Sequence, residues 1–133
     1  MEKVGLSVYQ GRDRRSETGK RLKTFRKKRK YEMGRHPTYT QFEDKIEIYT
    51  IRTKGGNTKV RVYKTFYANV IDPETNKAQK VKIIKVIENP ADRNLDRMSI
   101  ITKGTIIETE LGKAKVTSRA GQDGTVNAVL IKE

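Results

Sequence analysis

From residue 45 onward the apolar residues fall two apart and change phase often, a rhythm that predicts short β-strands rather than helices. Over Lys45–Arg52, Ile46 and Ile48 share one face, and Tyr49 and Ile51 then take the other. Thr58–Lys64 alternates without interruption, with Val60 and Val62 expected inward and Arg61 and Tyr63 outward. Phe66, Ala68 and Val70 keep the period of two up to Asp72-Pro73. In Lys80–Glu88, Val81 and Ile83 are followed by Ile84 and Val86, a phase switch that predicts a β-bulge or a barrel corner. Thr105–Glu110, Lys113–Ser118 and Thr125–Lys132 are three further strand candidates. Val, Ile and Thr dominate these runs, and branching at Cβ suits a pleated surface.

Turn residues punctuate the runs: Gly55-Gly56-Asn57, Asp72-Pro73, Asn89-Pro90, Gly104, Gly112 and Asp123-Gly124. Asn89–Met98 has room for one helical turn, and although Val81, Ile84 and Ile87 would also suit a helix, no long one is expected after residue 41. About six or seven short strands at this spacing predict an all-β domain, a small closed or partly open barrel or else a sandwich.

The first forty residues follow a different pattern. Their large apolar side chains are few, mainly Val4, Leu6, Val8, Leu22, Phe25 and Met33. They carry thirteen Lys and Arg against four acids, a net of +9. The remaining residues carry seventeen against twelve, a net of +5. So basic a stretch buries too little apolar surface to offset its ordering entropy. Residues 1–40 are therefore expected to be an arm, disordered when free, and residues 41–133 a folded barrel.

The whole chain of 133 residues has a net charge of +14 and calls for an anionic partner. Nucleic acid, an anionic membrane surface and an acidic protein are the candidates, beside a merely over-charged soluble surface. No stretch is long and apolar enough for a signal peptide or a membrane span. A membrane-surface helix also fails, because Leu22 and Phe25 are followed at helical spacing by Arg26 and Arg29. The absence of Cys excludes disulfides and thiolate metal sites and suits a soluble, cytoplasmic protein. High charge without Cys or Trp also hints at a heat-tolerant source.

Catalytic patterns are missing. A single histidine, His36, leaves no Ser–His–Asp set and no paired-histidine metal site. Thr18-Gly19-Lys20 is like the end of a phosphate-binding loop, but Arg14 stands where the first glycine belongs. Asp92, Asp96, Glu108 and Glu110 are scattered among bases, so a metal-dependent nuclease is a remote alternative. No enzyme, cofactor, metal or small-molecule substrate is expected.

The densest chemistry lies in Lys20–Tyr31, where Arg26, Lys27, Lys28, Arg29 and Lys30 are five consecutive bases. Each base that reaches a phosphate releases condensed counterions. A solvated charged face or a nuclear-localisation signal is the plainer reading of such a run. The expected RNA contacts in the arm are Arg12, Arg14, Arg15, Lys20, Arg21, Lys23, that run and Arg35, with Phe25 and Tyr31 placed to stack on bases. His36 reads as an RNA or packing contact. Beyond the arm, Lys54, Gly55, Gly56, Asn57, Lys59 and Arg61 either close a hairpin or let a phosphate approach bare backbone, and both can hold. Arg119 opens a loop that reads as structural first.

The arm and loops together resemble the S-eight-e family of small-subunit ribosomal proteins of archaea and eukaryotes. The resemblance rests on Tyr9-Gln10-Gly11-Arg12, Arg26 to Glu32, Gly34-Arg35 and Pro37-Thr38. It continues through Gly55-Gly56-Asn57, Lys59-Val60-Arg61, Ala68-Asn69-Val70 and Glu88-Asn89-Pro90-Ala91. Ile101 to Gly104, Ile107 to Glu110, Thr117-Ser118-Arg119, Gly121 to Gly124 and Val126 to Leu130 complete it in order. Lys20 and Ala120 depart from it, since the family usually has a small residue and a proline there. A chain ending soon after Ile131 resembles the shorter archaeal form. The resemblance implies a β-barrel on the small subunit, an arm laid along small-subunit ribosomal RNA, and neighbouring small-subunit ribosomal proteins as further partners. A free-standing RNA- or chromatin-binding protein is the alternative.

Overall fold

The computed structural model describes residues 8–131, so Val4, Leu6 and Lys132 lie outside the described residues. The chain divides into two compact units after Pro37. Thr38–Thr40, counted with the arm on charge, belong to the second unit, where the Thr40 hydroxyl is buried and donates to the Val62 carbonyl at 2.7 Å.

In the first unit, β1 (Val8–Tyr9) and β2 (Met33–Gly34) pair antiparallel, Val8 opposite Gly34 and Tyr9 opposite Met33. A 3-10 turn over Lys30–Glu32 leads into β2. None of residues 8–37 is buried.

The second unit contains β3 (Thr40–Phe42), β4 (Glu47–Arg52), β5 (Thr58–Thr65), β6 (Tyr67–Ile71) and β7 (Ala78–Glu88). A short helix α1 (Arg93–Arg97) is followed by β8 (Ile100–Ile101), β9 (Ile106–Thr109) and β10 (Gly112–Val116). Helix α2 (Ala120–Asp123) then leads to β11 (Asn127–Leu130). Five strands close a barrel in the order β10-β11-β6-β7-β9, and four others form a sheet in the order β4-β5-β3-β8. The fold is the expected all-β barrel.

All seven predicted strands form. β1, β2, β3 and β8 escaped prediction because two or three residues are too few to show a period, and α2 because it is a single helical turn. A five-stranded barrel is narrow, so small side chains fill its interior. Ala114 and Ala128 are fully buried beside Val70, Val116 and Ile107, and Val62, Ala120 and Val126 extend the same core.

The phase switch in β7 is a pair of register shifts, between Ile83 and Lys85 and between Val86 and Glu88. Val81 and Ile83 face inward before the first shift, and Val86 packs on the core after it. Ile84 sits at the first irregularity and is 53% exposed. The switch lets one long strand pair with β6 at one end and β9 at the other, which closes the barrel.

One detail differs from expectation. Val60, expected inward, is 41% exposed, and Ile48 is 51% exposed. β4 is an edge strand with one neighbour, so only Ile51 of its apolar residues becomes buried.

Asn89 organises the connection between β7 and β8. Its buried amide donates to the Ile100 carbonyl at 2.8 Å, while its side-chain oxygen accepts from Ala91 N and the Thr102 hydroxyl. Its own N–H donates to Asp96. An Asn89→Ala substitution strands the Ile100 carbonyl in the interior, where an unpaired polar group costs about 1–3 kcal/mol. Urea unfolding is expected to show a midpoint lowered by that free energy divided by the m-value, with the m-value itself unchanged.

Candidate nucleic-acid interface

The first unit is a long, nested loop. At its far end Ser16–Lys20 turns tightly: Gly19 N donates to Ser16 O and Ser16 N to Lys20 O, with Gly19 at a φ of +81°. Arg15 and Arg21 face each other across this turn, and the Arg15 guanidinium donates to Gly19 O at 3.0 Å. Nearer the base, Leu22 N donates to Arg14 O and Gln10 N to Glu32 O. Between these contacts lies a cleft of about 340 Å³ lined by Tyr9, Arg12, Arg14, Lys23, Phe25, Arg26 and Lys28, among others.

Glu32 is the organising acid of the loop. One carboxylate oxygen accepts from the Arg26 guanidinium and the other from Arg29 N at 3.0 Å. Arg26 also donates to the Tyr31 hydroxyl, which raises its pKa above the ordinary guanidinium value, with desolvation opposing and Glu32 adding. Its charge is permanent. The guanidinium lies 5.1 Å from the Phe25 ring centroid and 5.6 Å from that of Tyr31, and Lys28 lies 5.0 Å from Tyr9. Phe25 and Tyr31 are nevertheless 75% and 72% exposed. Within the run Arg26–Lys30, only Arg26 is ion-paired to a carboxylate among the described residues. Arg12, Arg14, Arg15, Lys20, Arg21, Lys23, Lys27 to Lys30, Arg35 and His36 all stand exposed.

In the second unit, Lys54–Gly56 forms the tip between β4 and β5. Gly55 and Gly56 adopt φ of +70° and +77°, and Asn57 donates from backbone and side chain to Lys54 O. A hairpin turn and a phosphate cradle are both compatible with this geometry: the glycines are needed for the turn, and a Cβ on Gly56 would meet open space.

Further along β5 the structure brings together residues far apart in sequence. α2 lies against this strand, so Lys59 donates to Gln122 Oε1 at 2.9 Å, while Arg61 donates at 3.0 Å to the hydroxyl of Thr38 in the segment leading into β3. Arg119 precedes α2, and its N–H donates to Asp123 at 2.8 Å. Lys59, Arg61 and the α2 loop thus share one region. Arg61 is half-buried, with an Nε that has no hydrogen-bond partner within the protein. Sequence reasoning missed Thr38 and Gln122, which hold the two basic side chains. Both stand within the family-like motifs, but nothing in their type marks them as partners of β5.

Three of the four carboxylates weighed for metal chemistry have structural work. Asp92 caps α1 through Asn94 N, Asp96 accepts from Asn89 N, and Glu108 pairs with Lys85 at 3.0 Å. Among the described residues no three His, Asp or Glu side chains gather as a metal site, and no helix is long and apolar enough to cross a membrane.

Comparison with known proteins brings a match to the family described as Ribosomal protein S8e over residues 9–131. A protein of Hyperthermus butylicus is 54% identical over 129 residues, covering 96% of this chain and 95% of its own. One from Sulfolobus acidocaldarius is 54% identical over 128 residues, covering 96% and 100%. One from Nanoarchaeum equitans is 53% identical over 124 residues, covering 93% and 97%. Each is named small ribosomal subunit protein eS8.

Two glycines separate backbone strain from packing. Gly56 and Gly124 both have positive φ, but a Cβ on Gly124 would stand 2.8 Å from the Val60 side chain. Gly56→Ala is expected to cost the backbone penalty alone, about 1–2 kcal/mol. Gly124→Ala is expected to cost more, because α2 must also shift off β5. Paired thermal melts of the two variants check the order.

Proposed function

The chain belongs to the Ribosomal protein S8e family, whose members are structural rather than catalytic, and on that premise we propose that it binds and stabilises small-subunit ribosomal RNA as a constituent of the small ribosomal subunit. The observation that carries this reading is the arm: twelve Lys and Arg among residues 8–37, every one exposed, beside two open aromatic rings. Phosphates neutralise such a surface and release counterions as they do so. Phe25 and Tyr31 add stacking that no phosphate supplies. Lys54 to Asn57, Lys59, Arg61 and Arg119 form the barrel's share of the interface. Phosphates carry no sequence information, so recognition rests on the shape of folded RNA and on stacked bases. Neighbouring small-subunit proteins complete the surroundings, and the site of action is the cytoplasmic ribosome.

The arm is disordered in the free protein and takes up its nested loop on RNA. In support, residues 8–37 bury no side chain, and an ordered segment of that length needs buried apolar surface or a counter-charge to offset its entropy. Trypsin is expected to cut between Arg12 and Lys30 in the free protein well before it cuts the barrel, and to be slowed there by small-subunit ribosomal RNA. Equal resistance of arm and barrel without RNA would show an arm folded on its own.

Sedimentation of native extract at moderately high salt tests the assignment itself. The protein is expected to travel with the small subunit, whereas recovery at the top of the gradient would mark a free-standing RNA-binding protein. Replacing Arg26 to Lys30 with Gln is expected to weaken RNA binding and flatten its logarithmic salt dependence by about 0.7–0.9 for each phosphate no longer neutralised. An unchanged slope would remove this run from the interface.

A further inference from the structure

We propose that the outer face of β6 and β7 is a second RNA-binding surface, independent of the arm, that stacks an unpaired nucleotide on Phe66 and Tyr67. It rests on ribosomal RNA being the partner, but on none of the residues assigned to the interface above. Strand pairing builds it: Tyr67 stands opposite Lys82, Asn69 opposite Lys80, and Asn127 of β11 opposite Asn69. Residues paired across a sheet share a face, and Ala68, Val70, Val81 and Ala128 take the inward one. Tyr67, Asn69, Lys80, Lys82 and Asn127 therefore point outward, and Phe66, in the bend just before β6, joins them through its ring contact with Tyr67.

The Phe66 and Tyr67 rings lie 4.1 Å apart with a 37° tilt, a broad partly exposed platform that the barrel core does not use. The Lys80 ammonium sits 4.5 Å from the Tyr67 centroid. Among the described residues neither Lys80 nor Lys82 is ion-paired with a carboxylate. Asn69 and Asn127 join their side-chain amides at 3.1 Å. Such a pair leaves one amide oxygen and one amino group unspent, an acceptor and a donor side by side.

Lysines on an exposed strand often guard a sheet edge, but β6 and β7 are closed into the barrel and have no edge to guard. A lone exposed ring would call for no explanation. Here two rings, two cations and a paired amide lie on adjacent strands. Protein interfaces are depleted in Lys, whereas RNA surfaces combine cations with stacking platforms. The deep, narrow major groove of an RNA duplex gives side chains no access to its bases, so the base must be unpaired. On arrival its phosphate draws Lys80 from the ring, and the base takes the vacated face.

Two full-length variants test this, Lys80→Gln/Lys82→Gln and Tyr67→Leu, each checked by thermal melting. With archaeal small-subunit ribosomal RNA, the lysine variant is expected to lower the logarithmic salt slope by about 1.4–1.8, two phosphates at 0.7–0.9 each. Ultraviolet cross-linking of assembled small subunits is expected to place a nucleotide on Phe66 or Tyr67, and Tyr67→Leu to remove or weaken that adduct. Should Tyr67→Leu fail to fold, the lysine slope and the wild-type cross-link decide. An unchanged slope overturns the proposal. So does acylation of Lys80 and Lys82 in assembled subunits as rapid as in the free protein, or a neighbouring protein cross-linked to this face. Should these variants do nothing while the Arg26–Lys30 variant still flattens the slope, only the second surface is overturned.

Discussion

Charge of one sign is the constraint on which everything else in this molecule turns. A net of +14 over 133 residues repels itself, and a chain can compact only where apolar burial outweighs that repulsion. The second unit meets the condition by alternation, interrupted only where its strands are irregular. Its strands send Val, Ile and Ala inward and Lys outward, so the bases of β5, β7 and β10 ring a core that contains none of them. Residues 8–37 do not meet it. They have a denser charge, no buried residue, and one acid, Glu32, holding two points of the loop together.

Closure makes that core possible. Five strands enclose so little space that the interior must be filled by Ala114, Ala128 and Ala68 beside larger neighbours, with α2 adding Ala120. A larger side chain at the fully buried alanines has no room, and a closed ladder cannot widen at one point without breaking pairing elsewhere. The irregularities in β7 belong to the same economy of space. They twist one strand enough to pair on both sides, at the cost of leaving Ile84 in solvent.

Much of this is legible in the chain because period-two alternation reports a half-buried strand directly. All seven longer strands are so marked, and the phase change between Ile83 and Val86 announces the irregularity of β7. Strands of two or three residues and a single helical turn carry no period, so β1, β2, β3, β8 and α2 are silent. Exposure on an edge strand is silent too: Ile48 reads like Ile51, and only the order β4-β5-β3-β8 tells them apart. The cations are the most visible part of the candidate site, since a run such as Arg26–Lys30 needs no fold to be recognised. Their partners are the least visible. That Gln122 meets Lys59 depends on α2 lying against β5, a contact between segments some sixty residues apart, and Thr38 meets Arg61 from the segment that leads into β3, itself a neighbour of β5.

The positions of Gly121 and Gly124 explain why that contact is so close. A Cβ at Gly121 would stand 3.0 Å from Thr38 Cβ, and one at Gly124 would press on Val60. Bare backbone therefore sets how closely the α2 segment approaches Thr38 and Val60, and that distance decides whether Gln122 can reach Lys59. A long basic side chain on a surface loses rotamer freedom when a phosphate fixes it. Lys59 and Arg61 have already given up part of that freedom to protein partners, whereas Lys27 and Lys30 stand exposed. On the proposed RNA-binding role, the second unit would offer a few preset cations and the arm many unset ones, the first contributing geometry to recognition and the second most of its salt-dependent affinity.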